Sequence, residues 1–508
     1  MKRLFNVVTK SSTTALVLLV LEIVISSIVV VFVFGGAFVI FGVVSYVFNI
    51  LIIFLVVNSR SNPAYKISWI FAVILLPLVG GVLYITFGKR RTVKKLKRKF
   101  VDARYVDFKC LDGNERFIKT LDIDPGCLQM IRWVFNVSRQ PVYYCTQTMF
   151  LGSGNSYFKS LIKDLSLAQK SIFLEVFIIS PGKMWGEILN ILINKVKDGV
   201  DVRLIYDDFG TIASLPNGYS SYMNKLGIKC KVFNPIKPRF EAFMNNRDHR
   251  KMVVVDGRIA YTGGINFADE YINEIERFGF WQDCGVRLYG KAAISFVVLF
   301  LNMWNYLSDE NLFFKDFIPN SFDVESDGFV MPFGDNPVNS YYLNDSIYLK
   351  MVTRAKKYVY IQTPYLIIDD KLTSSIIFAA QSGVEVIIIT PSVYDKFYVH
   401  AVTRSSYKRL IKAGVKIYEF TPGFIHSKLI ISDGIVGVLG TANFDFRSLY
   451  LHFECSVWMY KTKALSQMCE DFKLVMSRCE MVSLEECEKR SFFQKILGFV
   501  LKPFSSFM

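Results

Sequence analysis

The feature that most constrains this chain is a short polar motif that occurs twice. Each copy reads H-x-K-x4-D and is followed by G-[GT]-x-N: residues 249–256 with 263–266, and residues 426–433 with 440–443. The chain has only 4 histidines, and one begins each motif. A single match of this kind is weak evidence, but a second at an equivalent position indicates one unit present in two copies.

Other segments repeat in the same order. GVDVRLIY at 199–206 matches GVEVIIIT at 383–390, and GIKCKVFNP at 227–235 matches GVKIYEFTP at 414–422. These β-branched runs follow segments with helical periodicity, which is typical of an α/β domain. The first copy carries a longer connection, KPRFEAFMNN, before its motif. The sequence therefore predicts two similar α/β halves.

The residue types in the motif suit phosphate chemistry. Positions i and i+2 of a strand share a face, so the histidine and lysine of each motif should project together. An imidazole can attack phosphorus or donate a proton, while ammonium and amide groups hold the phosphate oxygens. The candidate catalytic residues are His249, Lys251, Asp256, His426, Lys428 and Asp433, with Asn266 and Asn443 as phosphate-binding residues. The other histidines, His400 and His452, lack such neighbours, and we interpret them as structural.

The apolar residues, 52% of the chain, are concentrated at its start. Three runs, 15–34, 35–57 and 67–87, each have about the 20 residues that a membrane-spanning helix needs. The basic cluster KRRTVKKLKRK at 89–99 follows, and the positive-inside rule places it in the cytoplasm with the rest of the chain. Basic residues near the N-terminus favour the same side, which three spans cannot satisfy, so the topology stays open.

The net charge and the cysteine spacing limit the kinds of binding partner, disulfide and metal site that the sequence predicts. The net charge of +16 favours anionic partners, and the apolar excess favours an anionic membrane over nucleic acid. The 9 cysteines are never spaced C-x-x-C, which favours reduced thiols in the cytosol over disulfides or a zinc site. No set of His, Asp and Glu has the spacing of metal ligands, so we predict no metal and no other cofactor.

On these motifs the chain resembles the phospholipase D superfamily, and within it bacterial cardiolipin synthases. The similar stretches include NNRDHRKMVVVDG (245–257), GGINFADEY (263–271), GTANFDFRS (440–448) and part of the region 62–88. One departure is His452, which stands where an asparagine is common. The resemblance implies two phospholipase D-like α/β sandwich halves that form one bilobal catalytic unit, preceded by N-terminal transmembrane helices.

The predicted organisation is a membrane region at 1–100, a first half at 101–335, a second half at 336–490 and an amphipathic tail at 491–508. The apolar part of the tail is too short to span a bilayer. We expect the tail and the 89–99 cluster to flank the active-site mouth on a membrane-facing side. The alternative is an ordinary terminal helix packed on the second half.

The resemblance also implies an activity: a phosphatidyltransferase in the cell membrane, multi-pass, with a cytoplasmic catalytic domain. One histidine would attack the phosphorus of phosphatidylglycerol to form a phosphatidyl-histidine. The other would protonate the departing glycerol and then activate a second phosphatidylglycerol, which gives cardiolipin. Family members generally use the first motif, so His249 is the preferred nucleophile. Asp283 and Glu454, downstream of the two motifs, are candidates for orienting the imidazoles.

Three other interpretations use the same residues. A hydrolytic phospholipase D would employ water as the acceptor, and membrane anchorage argues against it because a lipid acceptor excludes water. A phosphodiesterase or nuclease would explain the basic charge, although no stacked-aromatic nucleic-acid module is evident. A lipid-binding scaffold without activity would be expected to lack a histidine or lysine in one copy, and neither copy does. The sequence indicates neither the oligomeric state nor an alternative co-substrate.

Overall fold

The computed structural model describes residues 37–88, 114–236, 246–308, 310–339 and 341–508. Within these ranges the chain forms two mixed β-sheets flanked by helices, with a helical segment before them and a short helical tail after them.

The first sheet has seven strands in the order β1-β8-β6-β5-β2-β3-β4. The strands are β1 Thr146–Leu151, β2 Ser171–Val176, β3 Asp201–Asp207, β4 Lys229–Phe233, β5 Lys251–Val255, β6 Ile259–Gly263 and β8 Gly285–Gly290, and the separate short strand β7 is Phe280–Gln282. Within the described ranges, five α-helices accompany the sheet: α6 Gly154–Ser166, α7 Lys183–Lys197, α8 Asp208–Thr211, α9 Tyr219–Lys225 and α10 Ala293–Leu307. A 3₁₀ turn lies at Asp269–Ile272. A second 3₁₀ turn, Phe314–Phe317, follows α10.

The second sheet has eight strands in the order β19-β13-β12-β10-β15-β16-β18-β9. The strands are β9 Phe329–Asp335, β10 Tyr358–Gln362, β12 Glu385–Pro391, β13 Lys416–Phe420, β15 Leu429–Ser432, β16 Val436–Gly440, β18 Glu454–Tyr460 and β19 Cys479–Met481, and the separate short strands are β11 Leu366–Ile367, β14 Gly423–Ile425 and β17 Phe444–Asp445. The helices are α11 Leu343–Arg354, α12 Asp370–Gln381, α13 Phe397–Ser405, α14 Tyr407–Lys412, α15 Phe446–Tyr450, α16 Lys463–Met476 and α17 Leu484–Lys489.

The two sheets share one plan, which confirms the predicted duplication. The strand order β8-β6-β5-β2-β3-β4 of the first sheet corresponds to β18-β16-β15-β10-β12-β13 of the second. In each sheet the strand that carries the end of the motif pairs antiparallel with a central strand, and that strand starts a parallel run of three. Strands β2 and β12 are almost continuously buried, as expected for parallel strands covered on both faces.

The two halves share a hydrophobic core and therefore form one unit. Helix α10 is apolar around its whole circumference and is buried from its first residue to Asn305, which is typical of a core helix. One continuous cluster of buried side chains contains Phe173 and Ile205 of the first sheet together with Ile387 and Ile389 of the second. Burial of this surface would be lost if the halves separated.

A seam of backbone pairing also joins the halves. Strand β7 of the first half pairs in parallel with β14 of the second. The His426 N–H donates to the Gln282 carbonyl oxygen at 2.7 Å, and the His249 N–H donates to the Phe453 carbonyl oxygen at 2.9 Å. Each motif histidine is thus anchored by the backbone of the opposite half.

Chain order and sheet membership differ at the predicted boundary between residues 335 and 336. Strand β9 pairs antiparallel with β18 and so belongs to the second sheet. Helices α4 (Asn114–Thr120) and α5 (Pro125–Ser138) pack their apolar residues into the core of the second half, beside α11. The first of the predicted halves therefore contributes both an edge strand and a helical layer to the second.

The N-terminal segment contains α1 (Ala37–Val57), α2 (Pro63–Leu75), α3 (Val79–Leu83) and a π-helical turn at Tyr84–Gly88. Helix α1 covers most of the predicted span 35–57, while the predicted span 15–34 and the basic cluster 89–99 lie outside the described residues. Of the helices that the structure describes, none combines the length and the apolarity needed to cross a membrane.

Residues 67–87, which the sequence analysis predicts as one span, do not form one continuous helix. The run is divided after Leu75, because Pro77 has no N–H to continue a helix and Leu78 adopts a φ of 65°. The chain turns back at this point, and a small core forms between α1, α2 and the π-helical turn around Trp69 and Tyr84. The segment is thus a compact helical hairpin rather than a straight rod.

The tail consists of α18 (Phe492–Leu501) and a 3₁₀ turn at Lys502–Phe507. Gly498 of α18 packs against Ala401 of α13, and the 3₁₀ turn reaches the N-terminal hairpin, where Ser68 Oγ and Ser506 Oγ are 2.7 Å apart. The outer face of α18 is strongly exposed although it is apolar: Phe492 78%, Phe493 70% and Phe499 81%. The tail therefore joins the hairpin to the catalytic halves and presents an aromatic surface.

A buried ion pair of the first half lies beside the seam and should contribute to the stability of the fold. Arg250 donates to the Glu175 carboxylate at 3.2 Å and to the carbonyl oxygens of Leu299 and Glu454, and both charged side chains are buried. We expect Arg250→Ala to lower the free energy of unfolding by about 3–5 kcal/mol, because it leaves Glu175 buried without its counter-charge.

Chemical denaturation followed by circular dichroism measures this loss. The control is Arg409→Ala, which removes an exposed pair with Asp370 and should cost under about 1 kcal/mol. Equal effects of the two substitutions would contradict the structural role of the buried pair.

Candidate active site

Two histidine–carboxylate pairs lie at the seam between the halves. The Nδ1 atom of His249 is 2.9 Å from Glu454 Oε1, and the Nδ1 atom of His426 is 2.7 Å from Asp283 Oδ2. Both carboxylates are fully buried, and both histidines are almost so. The structure therefore brings each predicted orienting carboxylate against the histidine of the other half, not against that of its own.

The histidines do not lie on the sheet strands that the i, i+2 argument assumed. His249 precedes β5, which begins at Lys251, and His426 lies between β14 and β15. The physical reason is the seam: the backbone at both histidines bonds to the opposite half and so is not available to its own sheet. The extended backbone still brings each lysine back toward its histidine.

The two motif lysines are buried beside the histidines. The Lys251 ammonium group donates to the carbonyl oxygen of His249 at 2.7 Å, and the Lys428 ammonium group donates to that of His426. Each of these bonds uses one of three ammonium hydrogens. Burial lowers the pKa of Lys251 to about 8 and that of Lys428 to about 7. The site therefore concentrates positive charge that an anion can neutralise.

The histidines and their carboxylates have pKa values displaced in opposite directions. Burial lowers the pKa of His249 and of His426 well below the ordinary histidine value, and the two motif lysines lower it further. Burial raises the pKa of Glu454 and of Asp283 to about 7, against the opposing fields of the lysines. A neutral imidazole whose Nδ1–H donates to a carboxylate keeps a lone pair on Nε2, the form that a nucleophile requires.

Aromatic rings surround the two pairs. The ring centroid of Phe177 is 4.9 Å from that of His249, and those of Trp281 and Tyr271 are 5.3 Å and 5.5 Å from that of His426. Apolar walls lower the local dielectric response, which strengthens every charge interaction inside them. They also account for the dominance of burial in the pKa displacements.

The two predicted phosphate-binding asparagines, Asn266 and Asn443, are buried and form hydrogen bonds to other protein groups. Asn266 accepts the Ile178 N–H at 3.0 Å and donates to the Tyr271 hydroxyl at 2.6 Å. Asn443 donates to the Asp445 carboxylate at 2.9 Å. Their described hydrogen bonds are thus to protein groups, and the contact that they show toward the site is indirect, through Tyr271 in the first copy.

The structure does not bring Asp256 and Asp433 to the site. Each lies in a tight turn at the far end of its motif strand with a positive φ, 52° for Asp256 and 57° for Asp433. Their carboxylates accept backbone N–H groups, Asp256 from residues 169–171 and Asp433 from residues 356–358. The motif aspartates therefore fix the start of the neighbouring central strands. The prediction that they are catalytic residues is corrected: their role is structural.

His452 is a site residue that the sequence interpretation missed. Its ring centroid is 5.5 Å from that of His249, and its Nδ1 is 3.9 Å from Glu454 Oε1. Burial lowers its pKa well below the ordinary value, as do Arg447 and His249. Its position two residues before Glu454 was the available signal, because alternate residues of an extended segment share a face. His400, by contrast, lies on α13 and packs against Tyr394, which precedes that helix.

One group of ligand-type atoms in the described ranges is compact enough for a metal ion: those of His249, His452 and Glu454 lie within 4.8 Å of one another. The Glu454 oxygens are already engaged by His249 and by the Thr441 hydroxyl. In this arrangement Glu454 acts as the hydrogen-bond partner of His249.

The chain matches known protein families along most of its length. Residues 161–277 and 348–476 match the family described as cardiolipin synthase, phospholipase D-like domain, and residues 47–89 match the N-terminal phospholipase D-nuclease family. An uncharacterized protein of Streptococcus mutans is 39% identical over 88% of this chain and 97% of its own length. Cardiolipin synthases of Halalkalibacterium halodurans and Geobacillus kaustophilus are each 31% identical, over 91% and 88% of this chain and 92% and 90% of their own lengths.

A solved structure shares the fold. The phosphatidylserine synthase of Haemophilus influenzae superimposes with a TM-score of 0.57 over 74% of this chain and 97% of its own, at 16% identity. At that identity the likeness concerns the fold alone.

The histidine–carboxylate pairs yield a test by neutral substitution. We expect Glu454→Gln and Asp283→Asn each to lower the rate of lipid phosphodiester turnover by about 10²- to 10⁴-fold, because an amide can hold the imidazole in the wrong tautomer. The control is Glu385→Gln, an exposed glutamate paired with Lys416, which should leave turnover unchanged. Wild-type rates in both site variants would show that the contacts do not orient the histidines.

Proposed function

Because the chain belongs to the cardiolipin synthase family of the phospholipase D superfamily and is a phosphatidyltransferase, we propose that it transfers a phosphatidyl group between two phosphatidylglycerol molecules. The products are cardiolipin and free glycerol, and the intermediate is a phosphatidyl-histidine. The observation that carries the proposal is the pair of buried histidines, each with Nδ1 against a carboxylate of the opposite half.

The arrangement supports a two-step displacement. In the first step Nε2 of one histidine attacks phosphorus and the P–O bond to the glycerol headgroup breaks. The second histidine, whose protonated form the bound anionic phosphate would stabilise, donates its proton to the departing oxygen. In the second step the hydroxyl of another phosphatidylglycerol attacks phosphorus, its proton passes to the second histidine, and the P–N bond breaks. The family precedent favours His249 as the nucleophile and His426 as the acid and base.

The lysines would stabilise the charge of the transition state. The ammonium groups of Lys251 and Lys428 bond to the backbone of the two histidines, and both lysines are buried, so their interaction with the equatorial phosphate oxygens would be weakly screened. An anionic phosphate would also raise the lysine pKa values on binding and keep both groups charged during the reaction. This chemistry uses side chains of the protein alone.

The tail surface supports a membrane-facing mouth. The exposed phenylalanines of α18 lie on the segment whose end bonds to Arg447, the neighbour of His452 and hence of the catalytic pair at His249. With this surface against a leaflet, acyl chains would stay in hydrocarbon while the phosphate enters the site. We place the catalytic halves at the cytoplasmic face of the cell membrane on this basis and on the basic composition of the chain.

Vesicles of phosphatidylglycerol alone test the proposed reaction. Purified protein should release one glycerol for each cardiolipin formed, with His249→Ala and His426→Ala reduced to background. Phosphatidic acid as the main product would establish hydrolysis instead, and the absence of any turnover would contradict the proposal. Protein denatured with detergent at neutral pH, which spares the acid-labile P–N bond, should hold labelled lipid in His426→Ala and lose it in His249→Ala; the reverse pattern would make His426 the nucleophile.

The lysine pKa values predict a pH dependence. The charged forms bind phosphate, so kcat/KM should fall as the pH rises through about 7 to 8, where Lys428 and then Lys251 lose their protons. The lowered histidine pKa values keep the nucleophile neutral, so the acid limb should lie below the ordinary histidine range.

Steady-state kinetics between pH 5 and 9.5, a range that brackets these groups at roughly two units on either side, measure the profile. Lys428→Arg serves as the comparison, because a guanidinium stays charged and should move the alkaline limb upward in any activity that it retains. A kcat/KM that stays level above pH 8 would contradict the assignment of the lysines.

A further inference from the structure

The two copies carry side chains of opposite charge at one corresponding position beside the catalytic pairs. When GGINFADEY at 263–271 is set against GTANFDFRS at 440–448, Glu270 of the first copy corresponds to Arg447 of the second. Glu270 forms an ion pair with Arg277 at 3.1 Å and so is neutralised within its own half. Arg447 therefore gives the site a positive charge on one side only.

The described hydrogen bonds of the Arg447 guanidinium go to neutral acceptors. Its guanidinium donates to His452 Nε2 at 3.4 Å and to the Phe507 carbonyl oxygen at 3.3 Å, and both acceptors are neutral because burial keeps His452 unprotonated. Asp445 compensates part of this charge, because its field raises the pKa of Arg447 against the effect of burial. The described hydrogen bonds of its carboxylate come from the Asn443 amide and the Ser448 N–H, not from the guanidinium. A partly buried guanidinium that bonds to neutral acceptors is suited to bind an anion.

The position of Arg447 fits the headgroup of a lipid. On one side, the imidazole of His452 lies between the Arg447 guanidinium and the ring of His249. On the other side, the Phe507 carbonyl ties it to the end of the aromatic tail. A second cation, Arg247, is close enough to lower the pKa of Arg447, after burial itself, and so adds to the local positive potential. The guanidinium thus lies between the reacting centre and the surface that we assign to the membrane.

We propose that Arg447 binds the phosphodiester of the acceptor lipid, the phosphate that does not react. This inference rests on the proposed function and names the acceptor site within it. The acceptor phosphatidylglycerol carries its attacking hydroxyl on a glycerol whose other end is esterified to its own phosphate. While the hydroxyl oxygen forms its bond to the reacting phosphorus and the P–N bond to histidine breaks, the second phosphate is held one glycerol away. Water and free glycerol lack this phosphate, so Arg447 favours lipid over both as the acceptor.

Competition between two acceptors tests the site. Vesicles of phosphatidylglycerol are incubated with radiolabelled glycerol, and two products are measured: cardiolipin, which requires the lipid acceptor, and labelled phosphatidylglycerol, which requires glycerol as the acceptor. Arg447→Gln should lower cardiolipin formation by roughly 10- to 100-fold, the loss expected for one charge-assisted contact. Incorporation of labelled glycerol should stay within about 2-fold of wild type, since that reaction makes no use of the contact.

Two further variants complete the design. Glu270→Gln, at the corresponding position of the first copy, should keep the wild-type ratio of the two products, and Arg447→Lys should restore part of the cardiolipin activity because it keeps a cation. Equal loss of both products in Arg447→Gln would make the residue structural and overturn the inference. An unchanged product ratio would overturn it as well.

The wild-type reaction separates this inference from the proposed function. A wild-type enzyme that forms no cardiolipin overturns the proposed function and the acceptor site together. A wild-type enzyme that forms cardiolipin, combined with an Arg447→Gln variant of unchanged selectivity, overturns the acceptor site alone.

Discussion

The structure depends on the burial of four titratable groups, two lysines and two carboxylates, where the halves meet. Water would solvate these charges far better than protein does, so each must be placed against a partner when the halves close. The lysines then bond to the carbonyl groups of the motif histidines, and the carboxylates bond to the rings. The shared core around α10 provides the apolar burial that offsets this desolvation.

The same burial acts on both histidines in the same way. The pKa displacements have the same direction and the same leading cause in both halves, although one partner is Glu454 and the other is Asp283. The carboxylate partners therefore do not assign different roles to the two histidines. The distinction between them must come from residues that break the symmetry. His452 and Arg447 both do so, and both lie on the side of His249.

Much of the architecture could be predicted because it is written in local or repeated patterns. The matched strand segments led to two similar sheets, and the histidines and lysines of the motifs do meet in one place. The pairing of His249 with Glu454, which are 205 residues apart, could not be read from spacing, because it depends on how the halves dock. His452 was set aside for the same reason: it lies outside the repeated motif, and the role of Glu454, two residues later, itself depends on that docking. Pro77 is a signal for a helix break, but the long apolar run around this single proline favoured the prediction of a continuous span.

The crossing of the carboxylates bears on how such a chain could have arisen. One copy alone would hold a histidine that lacks its acid and an acid that lacks its histidine. Two identical copies related by a two-fold axis would complete both pairs at once, each subunit lending its carboxylate to the other, as in an isologous dimer. A gene fusion of that dimer preserves the exchange while freeing the two copies to diverge. A substitution such as arginine for glutamate could then appear on one side only, which no symmetric dimer permits.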